Sequence, residues 1–161
     1  MAMISFKNGI IHDVIIRDLT KYQDNRGWLM ELFRSDVIAK EFLPEMSYIS
    51  QTEAGITRGP HEHKYQADLF CFIGPSTFRL YLWDMRKSSP TSGNRMILDA
   101  GENKPQAVIV PAGIVHAYRN IGSVPGWIIN LPNKLYAGKQ RKEIVDEIRH
   151  ENDPNSPFQL D

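Results

Sequence analysis

Residues 55–69 read GITRGPHEHKYQADL. A Gly-Pro pair follows Arg58, and two of the chain's five histidines, His61 and His63, then stand one residue apart. If this stretch is a strand, residues two apart share a face, so both imidazoles project the same way. Polar side chains that project into a small barrel must be hydrogen-bonded or functional. A lone histidine at a strand end facing solvent would need no role. Two on one face, behind an arginine and a Gly-Pro turn, favour a function.

The surroundings of this stretch are strand-like. IIHDVIIRDL, WLMELFR, SYISQTEA, ADLFCFIG, FRLYLWDMR, AVIVPAG and GWIINL are short and rich in β-branched and aromatic residues. Turn formers separate them in DNRG, GPST, SSPTSGN, GENKP and IGSVPG. Short strands at fairly even spacing predict an all-β sandwich or barrel. Only Ser35 to Phe42, SDVIAKEF, reads as helix, with Ser35 as N-cap and Pro44 as stop. Lys139 to His150 reads as a helical turn or loop, and the tail ENDPNSPFQLD as a loosely packed surface segment. The 161 residues predict a single domain spanning 1–161.

Composition narrows the function classes. Net formal charge is zero and no basic run would follow a phosphate backbone, so nucleic acid is not an expected partner. No apolar run approaches the roughly 18 residues of a membrane span, and the N-terminus lacks a signal-peptide pattern. The expectation is a cytoplasmic protein without membrane contact. Cys71, the only cysteine, lies in the apolar run LFCFIG and reads as a small buried hydrophobe.

The other half of the chain carries a second histidine motif. PAGIVHAYRN, Pro111 to Asn120, contains Pro-x-Gly-x-x-His-x-x-x-Asn. This resembles the second motif of the cupin superfamily, and Gly55 to Gly74 resembles the first, with Asp68 where glutamate is usual. Pro105 stands where the second motif has a glycine. Both motifs in order imply a cupin jelly-roll barrel with one short helix and peripheral turns. In many cupins such residues hold a metal, and the ligands here would be His61, His63, Asp68 and His116; such a set suits iron, manganese, nickel or zinc.

A narrower resemblance favours a proton-transfer site without a cofactor. DNRGWLMELFR, TRGPH, WDMRKSSPTSG, VPAGIVHAY and NKLY resemble, in order, segments of the dTDP-4-dehydrorhamnose 3,5-epimerase family, which are metal-free cupins. The resemblance implies a nucleoside-diphosphate 4-keto-6-deoxyhexose as substrate and a homodimer in which strand exchange completes the site. Its chemistry is removal of the proton on carbon 3, acidified by the neighbouring ketone, and its return on the other face. A base for this step should titrate near neutrality, as histidine does. His61 aligns with the family's catalytic histidine. Arg58 and His116 are candidate donors to the enolate oxygen, and Arg26 and Glu31 resemble the substrate-anchoring segment. His63, Tyr118 and Asn130 complete the expected site.

Three departures bear on the outcome. The family's tyrosine acid falls at Asn130, which cannot act as an acid; Tyr65, Tyr118, Tyr136 or a water is the expected substitute. The family's lysine falls at Asp68, whose carboxylate would repel an enolate unless protonated or engaged with a histidine. The family's histidine-orienting aspartate has no counterpart before Asp161, which leaves Asp84 or Asp68 for that role. The missing tyrosine points to inversion at carbon 3 alone, not at carbons 3 and 5. The stretch HEHK also resembles the sugar-nucleotide 3,4-ketoisomerases, which gives an alternative activity. A metal-dependent cupin enzyme and a non-catalytic sugar-binding cupin are the alternatives from other classes.

Overall fold

A computed structural model describes residues 4–161. Thirteen strands are formed: β1 (Lys7–Asn8), β2 (Ile15–Asp18), β3 (Lys21–Asp24), β4 (Gly27–Met30), β5 (Tyr48–Thr52), β6 (Thr57–Glu62), β7 (Asp68–Phe72), β8 (Thr77–Asp84), β9 (Asn94–Gly101), β10 (Gln106–Val110), β11 (Ile114–Asn120), β12 (Gly126–Asn130) and β13 (Ile148–Arg149). Six pair in the order β1-β9-β8-β11-β6-β13 and five in the order β2-β10-β7-β12-β5, while β3 and β4 form a separate hairpin. The expected all-β jelly roll is what the chain adopts.

The period-2 alternation of the strands explains how the two sheets make one barrel. Phe70 and Phe72 of β7 and Val108 and Val110 of β10 face inward. They meet Phe78, Leu80 and Leu82 of β8 and Tyr118 of β11 in the central core. The odd members of the same strands face outward. Leu69, Cys71, Ala107 and Ile109 are covered by Leu32, Phe42 and Leu43. With both faces covered, β7 and β10 are buried along their whole length. Cys71 is buried as expected.

Tyr81, Trp83, Val115 and Ala117 form a third cluster on the outside of the six-stranded sheet, closed by Phe158. The tail is therefore docked and not loose. Phe158 is only 6% exposed and its ring meets Trp83 edge-on at 5.6 Å, a burial worth roughly 1.5–3 kcal/mol.

The expected helix over Ser35–Phe42 reduces to a 3-10 turn, Lys40–Phe42. Val37 and Ile38 are β-branched and poor helix formers, and Ile38 is drawn into the outer cluster. Arg34 ties Asp36 at 2.7 Å, at the step where a helix would begin. Lys139–Arg141 is likewise a 3-10 turn. The eight-residue strand β9 is absent from the sequence reading because NRMILDAG has polar and glycine ends and sits between two turn signals. Among the described residues no helix is long and apolar enough to cross a membrane.

Candidate active site

A cavity of about 990 Å³ opens at one end of the barrel. His61, His63, Tyr48, Tyr65, Lys134, Tyr136 and Asp146 are among its lining residues. His61 comes from β6 and His116 from β11, directly across the ladder, with ring centroids 4.4 Å apart. His63 completes a triangle at 5.5 Å from His61 and 5.7 Å from His116.

The spacing of Arg-Gly-Pro-His would place Arg58 and His61 on opposite faces of a regular strand. It does not, because the β6–β11 register slips between the pairs His116↔His61 and Tyr118↔Arg58. Two residues of β6, Gly59 and Pro60, oppose the single Ala117 of β11, and this bulge puts Arg58 and His61 on one face. Gly59 sits in the bulge at φ +85, and a Cβ there would lie 2.6 Å from the His116 carbonyl and 3.0 Å from His61 Nδ1. Only glycine lets the two histidine strands approach this closely. Gly113 binds the motifs together from the other side, donating its N–H to the His63 carbonyl at 2.7 Å.

The protonation states follow from the partners. His116 Nδ1 lies 3.0 Å from the Ile114 carbonyl, so that nitrogen is the donor and Nε2 carries a bare lone pair. Nε2 is buried without a hydrogen-bond partner. Burial keeps His116 neutral, lowering its pKa. His63 Nδ1 donates to the Asp146 carbonyl, and its Nε2 lies 3.2 Å from Asp68 Oδ2. Burial alone would lower the His63 pKa, but the hydrogen bond and charge of Asp68 outweigh it and raise the value. Burial opposes ionisation of Asp68 too, yet the hydrogen bond and charge of His63 outweigh it and hold the carboxyl at about 2. Asp68 and His63 are therefore an ion pair. His61 has no comparable partner: burial, then His116 and His63, push it down to about 2.

Asp68 thus pairs with His63 and not with His61. Asp84 does not reach the cavity histidines. Its oxygens accept from Arg86 Nε at 2.9 Å, Ser89 Oγ at 2.5 Å and Thr91 Oγ1 at 2.7 Å, which fold the WDMRKSSPTSG turn. Arg58 is exposed and is not a lining residue of the cavity, and it spends its guanidinium on Thr52 Oγ1 and the Gln51 carbonyl. His116 cannot donate to an enolate through an Nε2 that bears no proton. Tyr118 is deeply buried, with its hydroxyl 3.3 Å from Ser50 Oγ. Tyr136 is half-exposed at the cavity wall.

Asn130 Nδ2 donates to Asp68 Oδ1 and to the Tyr48 hydroxyl, both at 2.9 Å, while its Oδ1 is buried without a partner. Arg26 and Glu31 lie outside the cavity. Arg26 is on the exposed hairpin, paired with Asp24 at 2.5 Å, and Glu31 faces Arg34 at 3.4 Å.

Two residues of the site were not found by sequence reasoning. Asp146 accepts the backbone N–H groups of Lys64, Tyr65 and Gln66 at 2.7–2.9 Å and so fixes the loop after His63. Nothing local marks a contact across that much chain. Tyr48 was legible only as a member of the strand SYISQTEA.

The three histidines bring their ligand nitrogens within 4.8 Å of one another, and Asp68 Oδ2 is 3.2 and 3.4 Å from two of them. His63 and His116 each spend Nδ1 on a carbonyl, as metal-binding histidines do. The donor set therefore fits a divalent transition metal as well as a proton-transfer site.

Comparison with known proteins decides the family. Residues 9–144 match the model of the dTDP-4-dehydrorhamnose 3,5-epimerase family. The chain is 42% identical over 128 residues to the probable low-salt glycan biosynthesis epimerase Agl13 of Haloferax volcanii, covering 78% of this chain and 81% of that one. It is 31% identical over 134 residues to the spore coat polysaccharide biosynthesis protein SpsL of Bacillus subtilis, covering 83% and 87%. A dTDP sugar isomerase from Desulfovibrio desulfuricans shares the fold at a TM-score of 0.79 and 17% identity, over 92% of this chain and 91% of that one. The chain belongs to the dTDP-4-dehydrorhamnose 3,5-epimerase family and is a nucleotide-sugar isomerase.

Proposed function

We propose that the protein inverts carbon 3 of a nucleoside-diphosphate 4-keto-6-deoxyhexose, with His61 as the base. One observation carries this reading: His61 is neutral, reaches the cavity and is free of other partners, while its two histidine neighbours are engaged elsewhere. At a pKa of about 2 His61 alone is too weak a base; the negative charge of a bound diphosphate and of the forming enolate raises it, and a well-placed base contributes about 10²–10⁴ in rate. The Asp68–His63 pair answers the objection raised by a carboxylate at the lysine position. Its net charge is zero, so it does not repel the enolate. Lys134, Lys139 and Lys142 line the same cavity and supply cations for a diphosphate. We place Arg26 and Glu31 in a second copy's site, because the β3–β4 hairpin that leads to them projects from the barrel and a homodimer would use it.

The test is proton NMR in heavy water with dTDP- and CDP-4-keto-6-deoxyglucose. The expected result is loss of the carbon 3 signal, an epimerised product, and at least a 100-fold slower exchange in His61→Asn. Efficient deuterium entry at carbon 5 would exclude inversion at carbon 3 alone. A product carrying its ketone at carbon 3 would establish the ketoisomerase alternative.

The second reading, a metal-dependent enzyme, is favoured by the orphaned His116 Nε2 facing Asp68. His61, His63, His116 and Asp68 would hold the ion, which would supply Lewis acidity. Stoichiometric metal in the purified protein, with no exchange in either substrate, would establish it.

A further inference from the structure

Inverting a carbon by proton transfer needs two groups on opposite faces of the sugar. The base is placed, but the acid is not, because Asn130 occupies the family's tyrosine position. β12 pairs with β5 in the register Asn130↔Tyr48. Directly opposed residues of an antiparallel ladder project to the same face. On β5 that face is the interior: Thr52 is buried and Ser50 reaches Tyr118, while Ile49 is 59% exposed. The Tyr48 hydroxyl lies 2.9 Å from Asn130 Nδ2 and shares the cavity with His61.

We propose that Tyr48 is the general acid: the phenol has moved one strand across the sheet, from the position of Asn130 on β12 to its ladder partner on β5. The inference rests on the epimerase reading above. Topology gives it its force. His61 belongs to the six-stranded sheet and Tyr48 to the five-stranded sheet, and both line the same cavity. A sugar ring between them meets an imidazole on one face and a phenol on the other.

The step balances. His61 takes the carbon 3 proton, and the C–H electrons form a carbon 3–carbon 4 double bond as the ketone becomes an enolate. The enolate then collapses to the ketone, and carbon 3 takes the Tyr48 proton from the far side. The phenolate left behind accepts the Asn130 N–H, and the His61 proton returns to it through solvent once product has left. The Tyr48 ring is 47% exposed at the cavity, but loss of solvent around its hydroxyl pushes the phenol up to about 12, so it holds its proton at neutral pH.

The other tyrosines fit less well. Tyr118 stands on β11, in the same sheet as His61, and is not a lining residue of the cavity. Tyr65 is 67% exposed, and Tyr136 sits in the loop after β12.

The test separates exchange from inversion. Native protein and Tyr48→Phe are incubated with dTDP- and CDP-4-keto-6-deoxyglucose in heavy water and followed by proton NMR. Tyr48→Phe is expected to exchange carbon 3 within tenfold of the native rate, because His61 can return a deuteron to the face it deprotonated. Its epimerised product should fall at least about 100-fold. The exchanged variant, Tyr48→Asn with Asn130→Tyr, should recover product. Product at the native rate in Tyr48→Phe overturns the assignment, as does an equal fall in exchange and product. A folded exchanged variant as inactive as Tyr48→Phe also overturns it. A native protein that exchanges neither substrate overturns the epimerase reading and this one with it; a native protein that epimerises beside an unimpaired Tyr48→Phe overturns this one alone.

Discussion

Asp68 and Asp84 look alike until their partners are followed. Both are almost fully buried, at 2% and 0% exposure, one opening β7 and the other closing β8. Burial works against ionisation in each, and in each the partners win, holding the carboxyl at about 2. Around Asp84 the polar groups are satisfied: Arg86, Ser89 and Thr91 all point at the carboxylate, and the Arg86 N–H adds a bond at 3.1 Å. Around Asp68 they are not. His116 Nε2 and Asn130 Oδ1 are left without partners, and a cavity opens beside them. Buried polar atoms without partners are rare in folded proteins and call for an explanation. The closed cluster stabilises a turn, and the open one lies in the site proposed above.

The largest effect that would break this comparison is on stability at the closed cluster. Asp84→Asn leaves Arg86, whose side chain is 19% exposed, facing an amide. A guanidinium cannot shed its charge, and breaking a buried pair costs about 3–5 kcal/mol. The expected result in chemical denaturation is a loss at the lower end of that range, since an amide still accepts some of the bonds. Epimerisation per folded molecule should stay native. A variant that keeps its stability but loses activity would move Asp84 into the active site.

Asp68→Asn should behave the other way. His63 can shed its proton where Arg86 cannot, so the variant avoids an unpaired buried cation and should lose only about 1 kcal/mol. Without the hydrogen bond and charge that raise it, the His63 pKa should fall, which a titration of imidazole NMR signals would record. Turnover should drop at least about tenfold, because the cavity loses the pair that orients His63. Native turnover with a large loss of stability would reverse the roles assigned to the two aspartates.

These roles show where the sequence was readable. The alternation in FRLYLWDMR and ADLFCFIG marks strands that are buried on both faces, and the two histidine motifs mark the strands β6 and β11 that meet across the ladder. That is enough for the barrel and for the meeting of His61 with His116. Asp68 and Asp84 could not be told apart, because what distinguishes them is the company they keep in space. Ser89 and Thr91 close on Asp84 through a local turn and were legible in principle from WDMRKSSPTSG. The partners of Asp68 come from β6, β11 and β12, and only the register of the sheets brings them together. Tyr48 was missed for the same reason: its tie to Asn130 is a cross-strand pairing, invisible along the chain. Arg58 shows the opposite failure, since strand periodicity would have put it on the face opposite His61 and a bulge puts both on one face.

The smallest effect is the most discriminating, because the two aspartates have partners that titrate differently. Asp84 has a depressed pKa, so its contribution is present above the ordinary carboxyl value near 3.8 and is lost as pH falls toward about 2. Arg86 stays charged throughout, so this cluster gives an acid limb and nothing else. Asp68 gives an acid limb of the same sign. His63 adds a second limb, because its pKa is raised above the ordinary 6.5. Its contribution is complete below 6.5 and is lost as pH rises through the folded value. Stability measured by urea denaturation across pH 3 to 9 should therefore peak near pH 6.5: below it the unfolded chain takes up protons that the buried His61 and His116 refuse, and above it the His63 contribution is lost. Asp84→Asn should keep the alkaline decline, and Asp68→Asn should flatten it. An alkaline decline that survives Asp68→Asn unchanged would mean that the proton on His63 is held by the Asp146 carbonyl and not by the carboxylate beside it.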